Sequence, residues 1–120
     1  MMELQVKGTQ SFMGKEIPVV EGGFGEGKKC MLAKTISEIH ETRLLDVNAK
    51  INEHLDEFEI GVDLLDLKNS NENLVPLLNG IYTKQSIANS KNIYLLSEQG
   101  YMLLVGFMKT EKAKEIENNK

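Results

Sequence analysis

Between residues 31 and 58 the chain reads MLAKTISEIHETRLLDVNAKINEHLDEF, and its apolar side chains recur at helical spacing in two short runs. Leu32, Ile36 and Ile39 form one stripe; Leu44, Val47, Ile51, Leu55 and Phe58 form another. Steps of three and four residues return a side chain to the same side of an α-helix. A polar stretch at residues 40–43 separates the stripes, so the sequence predicts two helices joined by a tight turn. Helices this short and this close together bury both stripes by crossing steeply, which is the helix-turn-helix arrangement. The second helix of such a pair commonly lies in the DNA major groove.

The remaining residues bound what can surround this pair. With 120 residues, of which 41% are hydrophobic, residues 1–120 read as a single soluble domain around one core. No apolar run approaches the roughly 18 residues of a membrane span. The opening MMELQVKGTQ carries no apolar signal segment. Cys30 is the one cysteine and cannot form an internal disulfide, which points to a reducing cytoplasm. It reads as a small packing residue.

LQVKG and EIPVVE have the β-branched, alternating character of strands, with QSFMGK between them as the turn of a hairpin. After the helix pair, a strand is expected near residues 62–67. SNENLVPLLNGI reads as a loop with a short helical piece, and NIYLLS as a short apolar strand. Ser97 is placed to cap a following apolar helix, EQGYML onward. Thr110 is placed to cap a last, charged helix. The expected fold is therefore α+β: a small helix-turn-helix-like core, an N-terminal β-hairpin or wing, and C-terminal helices. The apolarity of those last helices predicts a homodimer seam as well as core.

Charge tempers the nucleic-acid reading. The formal net charge is −4. From Lys28 to His54 the bases are Lys28, Lys29, Lys34, Arg43 and Lys50, against Glu38, Glu41, Asp46 and Glu53. From Leu55 to Asp66 there are five acids and no base. The helix pair is the less acidic neighbourhood, and few phosphates can be neutralised there. Opposite its apolar stripe the second helix offers Arg43, Asn48, Lys50, Asn52 and His54. Arg and Lys reach guanine edges or phosphates, and Asn can bond adenine with two hydrogen bonds. Lys28, Lys29 and Lys34 are the candidate phosphate contacts.

Other motifs carry less. GGFGEGKK at residues 22–29 fits the glycine and lysine positions of a phosphate-binding loop, but Lys29 stands where a Ser or Thr must meet Mg²⁺. The helix expected after it begins near Leu32, too late to place its N–H groups on a phosphate. His40, His54 and Cys30 are too scattered to predict a zinc site. His40 reads as a helix-end residue, and Asp63 and Asp66 as surface acids. No nucleophile–base pair has suggestive spacing, so neither an enzyme nor a cofactor is expected.

Two blocks together, MLAKTISEIHETRLLDVNAKINEHLDEFEIGVDLLDL and NIYLLSEQGYMLLVGFMKTEKA, resemble the ORF-six-N domain of phage regulators, a relative of the KilA-N and Bro-N antirepressor domains. The first block carries an IAEIH-like helix at residues 36–40, a second helix with Asn and basic positions at 47–54, and a Phe, acidic and Gly-Val-Asp stretch at 58–63. The second carries Tyr-Leu-x-Ser-Glu-x-Gly-Tyr at 94–101. The similarity spans most of residues 11–116. It implies the DNA-binding module of a phage or prophage regulator, working on double-stranded DNA in a bacterial cytoplasm. The family usually pairs this module with a separate C-terminal domain. Asp46 and Glu53 stand on the second helix where the family has more Arg and Lys. That departure leaves open a different class of function, a protein-contact module that antagonises a phage repressor without touching DNA.

Overall fold

The computed structural model describes residues 4–108 apart from 13, 26, 70–73 and 79. The fold is α+β, built on a five-stranded sheet in the order β1-β2-β3-β5-β4 with every neighbouring pair antiparallel. The strands are β1 (Gln5–Phe12), β2 (Lys15–Glu21), β3 (Lys29–Leu32), β4 (Leu64–Asp66) and β5 (Tyr94–Ser97). The helices are α1 (Ala33–Ile39), α2 (Leu44–Glu53), α3 (Val75–Leu78), α4 (Lys84–Asn89) and α5 (Glu98–Phe107). Among the described residues no helix is long and apolar enough to cross a membrane. The charged segment expected to follow Thr110 lies outside the described residues.

The sheet is covered on both faces, which explains the unbroken apolar run of β5. Side chains alternate between the faces of a strand. Tyr94 and Leu96 join Ala33, Ile36, Val47, Ile51 and Leu104 under α1, α2 and α5. Ile93 and Leu95 join Leu4, Val20, Leu32, Leu77 and Tyr82 on the other side, beside α3 and α4. Leu95 and Leu96 are both fully buried. Each such leucine contributes about 1.5–3 kcal/mol on leaving water.

β1 and β2 form the expected hairpin, paired from Gln5↔Glu21 out to Phe12↔Lys15. β2 meets β3 only at Val20↔Cys30 and Glu21↔Lys29. The distal part of the hairpin therefore runs past the sheet as an arm, the geometry of a wing. A register shift between Val6 and Thr9, with Gly8 at φ 105°, breaks the outer edge strand. Such irregularity discourages edge-to-edge pairing.

Three expectations are corrected. Met31 and Leu32 belong to β3, because they pair with Leu96 and Leu95 of β5, so the first helix begins at Ala33. The second helix ends at Glu53, and Leu55 falls in a 3₁₀ turn, Leu55–Glu57, where it is exposed. Phe58 still reaches the core, packing edge-on against Phe107. Asp63 and Asp66 are not simple surface acids. Asp63 is buried, and its Oδ2 accepts from the Glu59 N–H at 2.9 Å. Asp66 accepts from Asn69 and Asn92 side chains and from the Lys68 and Ile93 N–H groups, tying the end of β4 to the start of β5. Burial alone would raise its pKa, but those hydrogen bonds outweigh burial and hold the carboxyl below its usual value.

Ser97 caps α5 as expected, accepting from the Gly100 N–H at 3.1 Å. Gly100 is required there: a Cβ would fall 2.0 Å from the Asp63 carbonyl oxygen. α4 was not legible in the pattern; its start is capped by Thr83, which accepts from the Ser86 N–H at 3.0 Å.

Candidate nucleic-acid interface

α1 and α2 are joined by residues 40–43. The Thr42 N–H bonds the Ser37 carbonyl at 2.9 Å and the Glu41 N–H bonds the Glu38 carbonyl at 3.3 Å. This is the Schellman pattern of a helix C-terminus. Its left-handed position is taken by Glu41 at φ 54°, not by the usual glycine. His40, the C-cap of α1, is buried, with its Nε2 2.7 Å from the Tyr101 hydroxyl of α5. It is a helix-end residue as expected, though it serves α1–α5 packing more than surface charge. Lys15 at the tip of the hairpin arm stands 4.0 Å from Glu41, so the arm lies alongside this turn.

The polar residues expected to share one reading face of α2 do not share one. An α-helix turns about 100° per residue. With Val47 and Ile51 inward, Arg43 and Lys50 fall on one flank and Asn48 and Asn52 on the other. Arg43 makes two bonds to Asp46, at 3.0 and 3.1 Å, and its side chain is 76% exposed. Lys50 pairs with Glu53 at 3.1 Å. On the second flank Asn52 accepts from the Tyr94 hydroxyl, which ties α2 to β5. Asn48 is half-buried. His54 leaves the face altogether, stacked on Phe107 with ring centroids 4.0 Å apart and bonded to Glu57. The outermost ridge is Leu45, Asp46, Ala49 and Glu53, all exposed. Asp46 does not cap the helix; the N-cap is Arg43, without a side-chain cap bond.

The three lysines expected at phosphates are dispersed. Lys34 is on α1, 2.7 Å from Glu38. Lys28 and Lys29 end the glycine loop, which folds back on itself through the Lys28 N–H to Gly25 carbonyl bond at 3.0 Å. That loop leads into β3 and not into a helix, so it has no helix N-terminus of its own. Both lysines instead line a cleft of about 500 Å³ with Phe24, Val62, Ser97 and Glu98, at the start of α5. A second, more apolar cleft of about 320 Å³ lies between the hairpin and α5, lined by Ile17, Val19, Met31, Tyr101 and Met102 among others.

Cys30 is buried with its Sγ donating to the Val20 carbonyl, and burial pushes the thiol pKa up to about 11. That is the behaviour of a packing residue and not of a reactive thiol. Among the described residues no three His, Cys, Asp or Glu side chains gather in a way that could hold a metal ion.

No family model, curated protein or solved structure matches the chain.

Tyr94 and Tyr101 are the contributors to this region that pattern reading missed. Each looked like one more apolar residue in an apolar run, and only the pairing of distant elements brings their hydroxyls to Asn52 and His40.

Proposed function

We propose that this chain is a sequence-specific duplex-DNA-binding module of phage or prophage gene control, with α2 as the helix that enters the major groove. The observation that carries the reading is local architecture. A buried helix and a surface helix meet through a hydrogen-bonded turn of four residues, and a hairpin arm lies beside that turn. The resemblance of residues 31–67 and 92–113 to the ORF-six-N domain supports the same reading from the sequence. Arg43, at the start of α2, is the foremost groove contact. Its pair with Asp46 is exposed, and water screens such a pair so that it holds the two side chains only weakly. A phosphate or a guanine edge can therefore replace Asp46 at little cost, and Lys50 can leave Glu53 in the same way. Lys28, Lys29 and Lys34, which lie off α2, would hold phosphates outside the groove. The 69% exposure of Met102 on α5 supports a homodimer through this helix. Sedimentation giving a monomer at high micromolar concentration would remove that part.

The rival reading is a module that binds a repressor protein and leaves DNA alone. One observation favours it: Lys34, Arg43 and Lys50 each meet a carboxylate on their own helix. A gel shift across a salt series decides between the two. DNA binding predicts an affinity that falls steeply with salt and is lost in the Arg43→Ala, Lys50→Ala double variant. No shift on any duplex, with repressor capture unaffected by that double change, would favour the rival.

A further inference from the structure

The outward ridge of α2 is apolar where the helix begins. Leu45, its second residue, is 70% exposed, more than any other large hydrophobic side chain among the described residues. Ala49 stands one turn further along the same ridge and is also exposed. Packing of the helix does not require either residue, because Val47 and Ile51 anchor it from the opposite side. The charge nearest Leu45 on the ridge, Asp46, is held in two bonds by Arg43. Asp46 and Glu53 share the ridge with Leu45 and Ala49, each paired to a cation of the adjacent flank, Arg43 and Lys50, and Lys15 stands near the turn that leads into the helix. Each acid of the ridge is thus met by a cation, and the flank that carries Arg43 and Lys50 is the one a phosphate backbone would pass.

In the major groove the one apolar group a base presents is the C5-methyl of thymine. The residues of a recognition helix that reach base edges are those near its N-terminus. We infer that Leu45 reads thymine, resting its side chain on that methyl, while the small Ala49 lets the ridge approach the groove floor. This rests on the DNA-binding reading above. It makes α2 a helix that selects in part by apolar contact, which fits its sparse charge.

The full chain is allowed to enrich duplexes from a random pool. The enriched duplex is then remade with deoxyuridine in place of thymine, one position at a time, which deletes the methyl and keeps the base pair. At one position or more the parent protein should bind about fourfold more weakly, the worth of one buried methyl. Leu45→Ala should bind the thymine and uracil forms of that duplex equally, and should melt at the parent's temperature. Leu45→Met, an aliphatic chain of similar volume, should restore the preference. If no thymine position responds, or if the preference survives in Leu45→Ala or fails to return in Leu45→Met, the assignment to Leu45 is overturned while DNA binding stands. If no duplex is enriched at all, both readings fall.

Discussion

α1 and α2 are neighbours in sequence and partners in one motif, yet the fold treats them differently. α1 buries Ala33, Thr35, Ile36, Ser37 and Ile39 out of seven residues. α2 has ten residues and buries Val47 and Ile51. α1 is wedged among β2, β3, β5 and α2, so even its hydroxyl residues are enclosed; the Ser37 hydroxyl is satisfied by the Lys34 carbonyl at 2.6 Å. α2 touches the body along one narrow stripe and through the Tyr94–Asn52 bond. Two helices that look alike by periodicity thus have separate work: one is scaffold, and the other is a surface mounted on it. Under either proposed function, the second is the one that a partner would meet.

The sharpest test of that division is a pair of truncations. Ile36→Ala empties a fully buried site and should cost about 2–5 kcal/mol in urea unfolding. Leu45→Ala should stay within about 0.5 kcal/mol of the parent. Equal costs would mean that α2 is no more a surface helix than α1.

Tyr94→Phe removes the hydroxyl that anchors the Asn flank of α2. It should cost about 1 kcal/mol, the net worth of such a bond. An unchanged unfolding midpoint would leave α2 held by its apolar stripe alone.

The turn between the helices gives a smaller effect of opposite sign. A non-glycine residue in the left-handed region costs about 1–2 kcal/mol, and glycine returns about 0.5–1 kcal/mol of that as lost chain entropy on folding. Glu41→Gly should therefore stabilise the domain by about 0.5 kcal/mol, net of the long Lys15 contact. A loss of stability would show that this ion pair, and with it the position of the hairpin arm, matters more than the strain.

The smallest effect belongs to the edge strand β4. The folded pKa of Asp66 lies below its ordinary value, so the stability it contributes is present above that value and is lost as the pH falls through the folded pKa. Unfolding followed below about pH 4 should show a shallower acid loss in Asp66→Asn than in the parent. Identical acid limbs would assign the loss to other carboxylates.

Much of this frame was legible in the chain. The hairpin, the helix pair, the apolar strand NIYLLS and the Ser97 cap all rest on local rules of periodicity, turn chemistry and capping, which act over a few residues. The misreadings have one physical origin. Met31 and Leu32 carry helix-compatible side chains, and only pairing with Leu96 and Leu95, more than sixty positions away, makes them a strand. Leu55 keeps the helical spacing, but the chain turns off the helix axis at His54, whose ring is held by Phe107 and Glu57. Asp63 and Asp66 look like solvated acids until β4 and β5 close around them. The candidate interface was the least legible part. Residue type gave Arg43, Asn48, Lys50 and Asn52 a common polar character, but the direction in which α2 is anchored sent them to two flanks.

By itself the sequence determined the hairpin, the helix pair, the apolar strand NIYLLS and the capped helix after it, and with them the α+β class. It also determined that cations are too few for a strong electrostatic grip. These follow from side-chain character and spacing, which are local. Tertiary structure alone decided which helix is inside and which outside. It also decided that the glycine loop faces the start of α5, and that the outer ridge of α2 presents Leu45, Asp46, Ala49 and Glu53 instead of its cations. Each of these depends on which distant elements share a sheet or a core, and no local preference encodes that.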